Sequence, residues 1–527
     1  MSSFKFKYAP LLFLGALGLS SCEDILNTDP VTSLNAGDHY SIQSELYAAY
    51  IGIAGSFVEV ADQTIVLAGL KGDLMRPTNN ASEEFWNIYR FQPTTDSFYA
   101  STQRYYDIVI NCNDFLRRAV KYKKDYPGDI PDKVYRGLIA SAINYKVWSL
   151  MTIAKIDGQV DIYNSNLTSS DKDVMITLSL DDAPSFLLEY MRGGVDGINA
   201  FNTLDWKLIL NNVNVNWVGS NLEGRMIEGE LLLWAGRYQE AFTAYKQVVT
   251  HPEGSNDGYR DVSGTYRGKD WKNIFSTTEV GNLGTEVITI APYNAKAGQQ
   301  NILNPFFRKA APGKYLLAPT NKMLSLYENQ ERNDYSKKCV FRGLGVTYES
   351  YSSVDGEITK YALNDKQDIF TSDTHIPVYR VVEAHLGMAE ALCFMGRFQE
   401  AFAFLDDGLK TYWNGTAFIA PFTEYPANLK NNIGSRARAN LLPIDQKALF
   451  ASCESKSDSI FTMSKVLADE IAMEFAYEGK RWFSLIRLAR NLNDSDFLAK
   501  EVAGKFGEGE EGFYRTFLQN QDNWFIR

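Results

Sequence analysis

Gly236-Arg237-Tyr238-Gln239-Glu240-Ala241 returns 160 residues later as Gly396-Arg397-Phe398-Gln399-Glu400-Ala401. Each copy follows a stretch whose apolar residues recur at helical spacing, and each opens another. A small glycine at that point lets the chain turn, and the alanine five residues on lets two helices approach closely. Tyr245 and Leu405 stand four residues past their alanines, where the second helix would set its next side chain against the first. Pro252 follows the first copy near its expected stop. The pattern predicts helix–turn–helix pairs, and copies this far apart predict a large insertion between them rather than a tandem array.

The paired phrase resembles the turn of a tetratricopeptide unit. Around it, helical spacing marks Tyr40 to Ala54, Tyr99 to Lys121, Val134 to Ile153, Ala183 to Met191 and Trp206 to Leu210. Gly69 to Asp96, broken by Gly72, Pro77, Asn79, Asn80 and Pro93, reads as an exposed loop with a short helical turn. Gly158 to Asp182 is β-branched and polar, and Val287 to Ile290 is strand-like. The expected fold is mostly α: a discontinuous tetratricopeptide-like scaffold, with helices at about 99–153, 222–250, 379–410 and 464–490, and a loop-rich, short-strand ligand-binding insertion at about 251–374. No linker or charge run divides the 527 residues, so 37–527 is expected to form one interleaved body.

The N-terminus reads as an address. Lys5 and Lys7 precede an apolar run from Ala9 to Leu19, a secretory signal too short to span a bilayer, and no other stretch is expected to span one. Leu19-Ser20-Ser21-Cys22 resembles a bacterial lipoprotein signal, which implies cleavage of 1–21 and acylation of Cys22. Glu23 and Asp24 resemble an acidic export tag, and 22–36 reads as a surface tether. The net charge of −11 argues against nucleic acid, whose phosphates need a basic surface. Cys112, Cys339, Cys393 and Cys453 lie far apart with no metal-ligand spacing; Cys112 and Cys393 sit in helix-like apolar context, and a disulfide cannot be paired from sequence.

The stretch from Tyr379 reads as a helix carrying Arg380, Glu383 and Glu390, and the C-terminal region from Glu470 to Arg490 carries Glu474, Glu478, Gly479, Arg481, Trp482, Phe483 and Arg487. With the closing Asp522-Asn523-Trp524-Phe525 and the lipoprotein start, these resemble the SusD/RagB family of nutrient-binding outer-membrane lipoproteins. Ser484 departs from the Asp often found at its position in that family. The resemblance implies an outer-membrane protein, lipid-anchored through Cys22 and facing outward, that binds a glycan and delivers it to a SusC-like TonB-dependent transporter. A peptide cargo, as in the RagB-like branch, and a non-transport tetratricopeptide-like adaptor stay open. The signature residues read as structural: Glu474 and Glu478 at i, i+4 on a helix face, with Arg481 three past Glu478 to pair with it, and Trp482 and Phe483 in the core.

Nothing in the sequence points to catalysis or to a cofactor. The four histidines, His39, His251, His375 and His385, form no metal motif, and no nucleophile elbow or phosphate loop appears. The glycines at Gly507, Gly509 and Gly512 alternate with Glu508, Glu510 and Glu511, which would repel pyrophosphate, and read as an acidic loop. A sugar needs an aromatic face flanked by hydrogen-bonding groups. Trp86 with Arg76 and Asn80, and Trp271 with Tyr293 and Asn294, are the candidates for that role.

Overall fold

A computed structural model describes residues 41–163, 174–209, 220–250, 271, 274–275, 286–294, 298–330, 342–350, 356–362 and 374–526. The signal, Cys22, the tether, Cys339, His39 and His251 lie outside these residues. The chain begins with α1 (Gln43–Lys71), β1 (Met75–Pro77), α2 (Glu83–Tyr89) and the long antiparallel pair α3 (Gln103–Asp125) and α4 (Asp132–Asp157). A hairpin of β2 (Gln159–Tyr163) and β3 (Val174–Ser179) leads to α5 (Ala183–Gly193), then to α6 (Gly224–Trp234) and α7 (Tyr238–Thr250). Short elements follow: β4 (Val287–Ala291), α8 (Leu303–Phe307), β5 (Leu317–Pro319), α9 (Asn321–Glu328), β6 (Tyr348–Ser350), β7 (Gly356–Ile358) and β8 (Ile376–Arg380). The chain ends in α10 (Val381–Met395), α11 (Phe398–Phe402), α12 (Ser435–Arg438), α13 (Gln446–Leu449), α14 (Lys456–Glu474), α15 (Arg481–Leu492), α16 (Ser495–Ala503) and α17 (Glu508–Gln519).

The fold is a helical scaffold with small strand pairs, as the spacing predicts. Among the described residues every sheet is a two-stranded antiparallel pair: β1 with β5, β2 with β3, β4 with β8, β6 with β7. Both repeated glycines adopt the left-handed conformation, at φ 68° and 78°. Ala241 and Ala401 are fully buried, and Tyr245 and Leu405 are buried beyond them. The Tyr245 ring lies between Gly229 of α6 and Gly387 of α10, with room for no side chain at either. After α11 the second copy passes into a π turn, Ala403–Asp407, and stops at Gly408.

Several local expectations change in the folded chain. The first helix does not stop at Ala54: it continues to Lys71, because Phe57, Val60, Ile65 and Val66 are all buried and that burial outweighs the weak helical preference of Gly52 and Gly55. By length and apolarity alone α1 could cross a membrane, which corrects the expectation that no later stretch could. Its most apolar window is 61% buried in the body, the mark of a core helix. The helix ends against Lys505, whose Nζ donates to the carbonyls of Leu70, Lys71 and Gly72 at 2.6, 3.3 and 2.9 Å. A lysine 433 to 435 residues away thus satisfies carbonyls that helix geometry leaves open.

Gly69 to Asp96 is mostly loop and turn, but it holds more than one short helical turn: the end of α1, β1 and α2 lie in it, and Gly72 to Met75 are buried. Tyr379 and Arg380 close strand β8 and the helix starts at Val381, because β8 must pair with β4. Among the described residues of the expected helix from Trp206, a short 3-10 turn, Trp206–Leu208, forms. The glycine–glutamate stretch is helical: Gly507 caps α17, and Glu508, Glu510 and Glu511 sit in its first turn, where the helix dipole favours carboxylates. Cys112, Cys393 and Cys453 are free thiols, the first two buried.

Candidate functional site

The two sets of candidate ligand residues meet different fates. β1 pairs with β5, setting Arg76 opposite Ala318 and Pro77 opposite Leu317. The seam continues beyond the strands: the Thr78 amide donates to the Leu316 carbonyl at 2.9 Å, and Asn80 Nδ2 donates to the Lys314 carbonyl at 3.2 Å. The Thr78 hydroxyl donates to the Tyr315 carbonyl. Arg76 Nε donates to the Pro319 carbonyl at 3.2 Å. The first loop and the insertion, some 240 residues apart, therefore make one surface. The turn before Lys314 is closed by Gly313, where a side chain would collide with the Arg308 carbonyl. It presents Lys314 to solvent, while the partly exposed Tyr315 donates its hydroxyl to Gly356 and carries Lys309 Nζ 4.6 Å from its ring centre.

Trp86 is carried by α2, which packs against β1, and is partly exposed. It packs edge-on against Tyr89 with centroids 6.0 Å apart, and the Arg90 guanidinium lies 5.0 Å from its ring. Phe98, farther along the same segment and 51% exposed, has the Arg104 guanidinium 4.9 Å away. The loop after α2 is held from within: Gln63 Nε2 donates to the carbonyls of Phe98 and Ser101 at 3.0 and 2.7 Å, and Glu84 accepts from the Ser97 hydroxyl and the Tyr99 amide.

Trp271 and Tyr293 do not join this surface. Trp271 is fully buried, with Nε1 donating to Thr347 at 3.3 Å and its ring facing Lys360 and Arg380. Tyr293 is buried, and its hydroxyl donates to the Val58 carbonyl at 3.3 Å. In these positions neither ring has a face to offer a ligand. Asn294 is exposed and bridges Gln299 through the backbone. Lys314 does not stand out in the sequence, because nothing local tells that the pairing of β5 with β1 will bring it beside Asn80.

The signature residues build the interior. Glu474 accepts from Arg342 at 2.8 Å, Arg380 at 3.1 Å and Arg438 at 2.9 Å, all four side chains being buried. Glu478 accepts from Arg380 at 2.9 Å and Lys360 at 2.6 Å, Glu470 takes Arg342, and Glu286 takes Arg380 and Arg438. The helix ends at Glu474 and the chain turns through Gly479 at φ 76°, so Glu474 and Glu478 do not share a helix face; they converge on Arg380 instead. Arg481 does not pair with Glu478 either. It clamps Asp73 with two bonds of 2.9 and 2.8 Å and reaches Glu501 at 3.0 Å, because α15 starts after the turn and points the other way. Trp482 and Phe483 are buried.

A third cluster pairs Glu390 with Arg487 at 2.7 Å, Glu383 with Lys480 at 2.9 Å and Glu230 with Lys155 at 2.8 Å around a cavity of about 80 Å³, far below the ~300–1,000 Å³ of a typical ligand pocket. Burial would raise the Glu230 carboxyl, but Lys155 and Lys480 hold it at about 2; at Glu383 burial prevails and the shift is upward. Among the described residues no group of three or more His, Cys, Asp or Glu is placed to hold a metal ion.

Residues 198–525 match the model of the SusD family. No curated protein matches this chain. Among solved structures, a SusD superfamily protein from Bacteroides vulgatus ATCC 8482 superposes with a TM-score of 0.61 at 15% identity, over 90% of this chain and 93% of that one. A SusD superfamily protein from Bacteroides thetaiotaomicron VPI-5482 gives 0.59 at 15% identity, over 92% and 95%. A SusD-like carbohydrate binding protein from Bacteroides vulgatus ATCC 8482 gives 0.56 at 12% identity, over 84% and 83%. At such identities the superpositions speak for the fold.

Proposed function

The chain belongs to the SusD family, and on that premise we propose that it is a glycan-binding lipoprotein of the outer membrane that passes its cargo to a TonB-dependent transporter. The observation that carries this reading is the seam, where two distant segments are locked together at the surface and one of them packs against the helix that carries Trp86. Trp86 supplies an apolar face, and Asn80, Lys314 and Arg90 supply groups for hydroxyls; this is the complement of a sugar residue. A protein of the same fold from Bacteroides vulgatus is described as carbohydrate binding, which fits. Acylated Cys22 would anchor the chain facing outward, the insertion at about 251–374 would serve the ligand side, and the paired helices would serve as scaffold and transporter face. No step of this role needs a catalytic group or a cofactor.

The test is retention of the mature chain, begun at Cys22, in gels carrying single polysaccharides, with calorimetry on those that retain it. One glycan class is expected to bind, and Trp86→Ala is expected to weaken that binding about tenfold, or ~1.4 kcal/mol. Binding of peptide digests in place of every glycan would transfer the reading to a peptide cargo. In cells, Cys22→Ala is expected to move the protein from the membrane fraction to the soluble one, since the acyl chains supply the anchor.

A further inference from the structure

The loop after α2 also walls a second and larger recess. Its volume is about 520 Å³, within the ~300–1,000 Å³ usual for small-ligand sites. Its other walls are Tyr106 of α3, Asp157 at the end of α4, Gln159 and Asp161 of β2, and Ile526. Two clamps hold these walls in place. Gln63 pins the loop from behind, and the C-terminal segment is tied down by the Ile526 amide, which donates to the Ile156 carbonyl at 2.9 Å. The Phe525 ring packs onto Gly158, at φ 77° and with no space for a side chain. The recess is therefore present before any ligand arrives, so little ordering cost attends binding.

The polar groups inside are half used. Thr102 Oγ1 donates to Asp157 Oδ2 at 2.9 Å, and Thr177 Oγ1 donates to Asp161 Oδ1 at 2.6 Å. The other oxygen of each carboxylate takes no hydrogen bond among the described residues. Tyr106 accepts the Asp161 amide at 3.0 Å and keeps its own proton to donate. Its ring is braced edge-on by Tyr163, with centroids 5.7 Å apart. Burial pushes the Asp157 carboxyl up to about 6 against the pull of Thr102 and Lys71, so this carboxylate is poorly solvated and gains from a new hydroxyl donor. Two carboxylates line the recess, and no lysine or arginine does.

We propose that this recess is a second binding site, distinct from the seam, for one or two neutral sugar residues, and that its carboxylates turn away uronate or sulfated glycans. An aromatic face, a phenol donor, a primary amide, threonine hydroxyls and two acceptor oxygens match a pyranose carrying only hydroxyls. A carboxylate or sulfate on the ligand would face Asp157 and Asp161 across a few ångströms with no lysine or arginine in the lining to offset them, since the Lys71 that acts on Asp157 is buried outside it. The inference rests on the glycan reading above in naming the ligand a sugar.

The experiment is calorimetry on the mature chain with neutral hexasaccharides of glucose, mannose and xylose, and with an oligogalacturonate of equal length. Tyr106→Phe, Gln159→Ala and Asp161→Asn test the recess, and Trp86→Ala tests the seam. A neutral oligosaccharide is expected to lose about tenfold in affinity in Gln159→Ala and Asp161→Asn while both variants melt like the parent. In Asp161→Asn the discrimination against oligogalacturonate is expected to shrink. Binding that falls in Trp86→Ala and ignores all three recess variants would overturn this site and leave the seam standing. Equal affinity of the parent for oligogalacturonate through the recess would overturn its charge selection, and silence toward every oligosaccharide would overturn both readings.

Discussion

Glu474→Gln is expected to lower the free energy of unfolding by about 3–5 kcal/mol, the usual cost of breaking one member out of a buried ionic cluster. The cluster holds four cations, Arg342, Lys360, Arg380 and Arg438, against four carboxylates, Glu286, Glu470, Glu474 and Glu478. Glu474 alone accepts from three guanidinium groups. The amide keeps the shape of the side chain but removes the charge, and its NH₂ would point at a donor. Urea unfolding of the two proteins measures the difference. Its pH dependence is a second signature. Burial would raise the Glu474 carboxyl, but Arg438, Arg380 and Arg342 hold it at about 2, below its ordinary 4.5. A depressed carboxyl contributes stability that is complete above 4.5 and is lost as the pH falls toward 2. The gap between parent and variant should therefore narrow across that window; a gap constant from pH 5 to pH 2.5 would mean that Glu474 acts through packing and not through charge.

Gly387→Ala should destabilise the protein by about 1–3 kcal/mol, against the ~1 kcal/mol gain that helix propensity alone would give. A Cβ at 387 would stand 2.4 Å from the Tyr245 ring, and one at Gly229 on the other side would stand 2.6 Å from it. Tyr245 is buried and α6, α7 and α10 meet around it, so the ring has nowhere to retreat. The control is the pair Gly387→Ala with Tyr245→Leu. If the clash is the cause, the double variant should be no less stable than Tyr245→Leu alone, giving a coupling of about 1–3 kcal/mol in a double-mutant cycle. Additive losses would place the cost in the helix backbone instead.

Tyr245 also shows how far reading the sequence could go. Its place four residues past Ala241 marks it as the side chain that packs the pair, and it does pack there. That Gly229 and Gly387 make room for it is not visible, since a glycine inside a helical pattern reads as a weak point until the partner helix is known. The ligand surface divides the same way. Arg76, Asn80 and Trp86 stand out through loop-like composition, and the folded chain keeps them at the surface. Trp271 and Tyr293 stand out through the same composition and are buried, because aromatic residues among Gly, Asn and Tyr look alike whether they cover a core or face water.

By itself the sequence determined the helical class, the turns at Gly236 and Gly396, the close helix approach at Ala241 and Ala401, and the strand at Val287. Each of these depends on periodicity or on the backbone freedom of one residue, and both act over a few positions. Only the tertiary structure decided that Glu474 and Glu478 meet on Arg380 rather than on one helix face, that Arg481 reaches back to Asp73, that Lys505 closes the first helix, and that the first loop and the insertion form one seam. These pairings join residues tens to hundreds of positions apart, and any buried charge must find some partner. Which partner it finds depends on how the helices pack, and no local pattern records that.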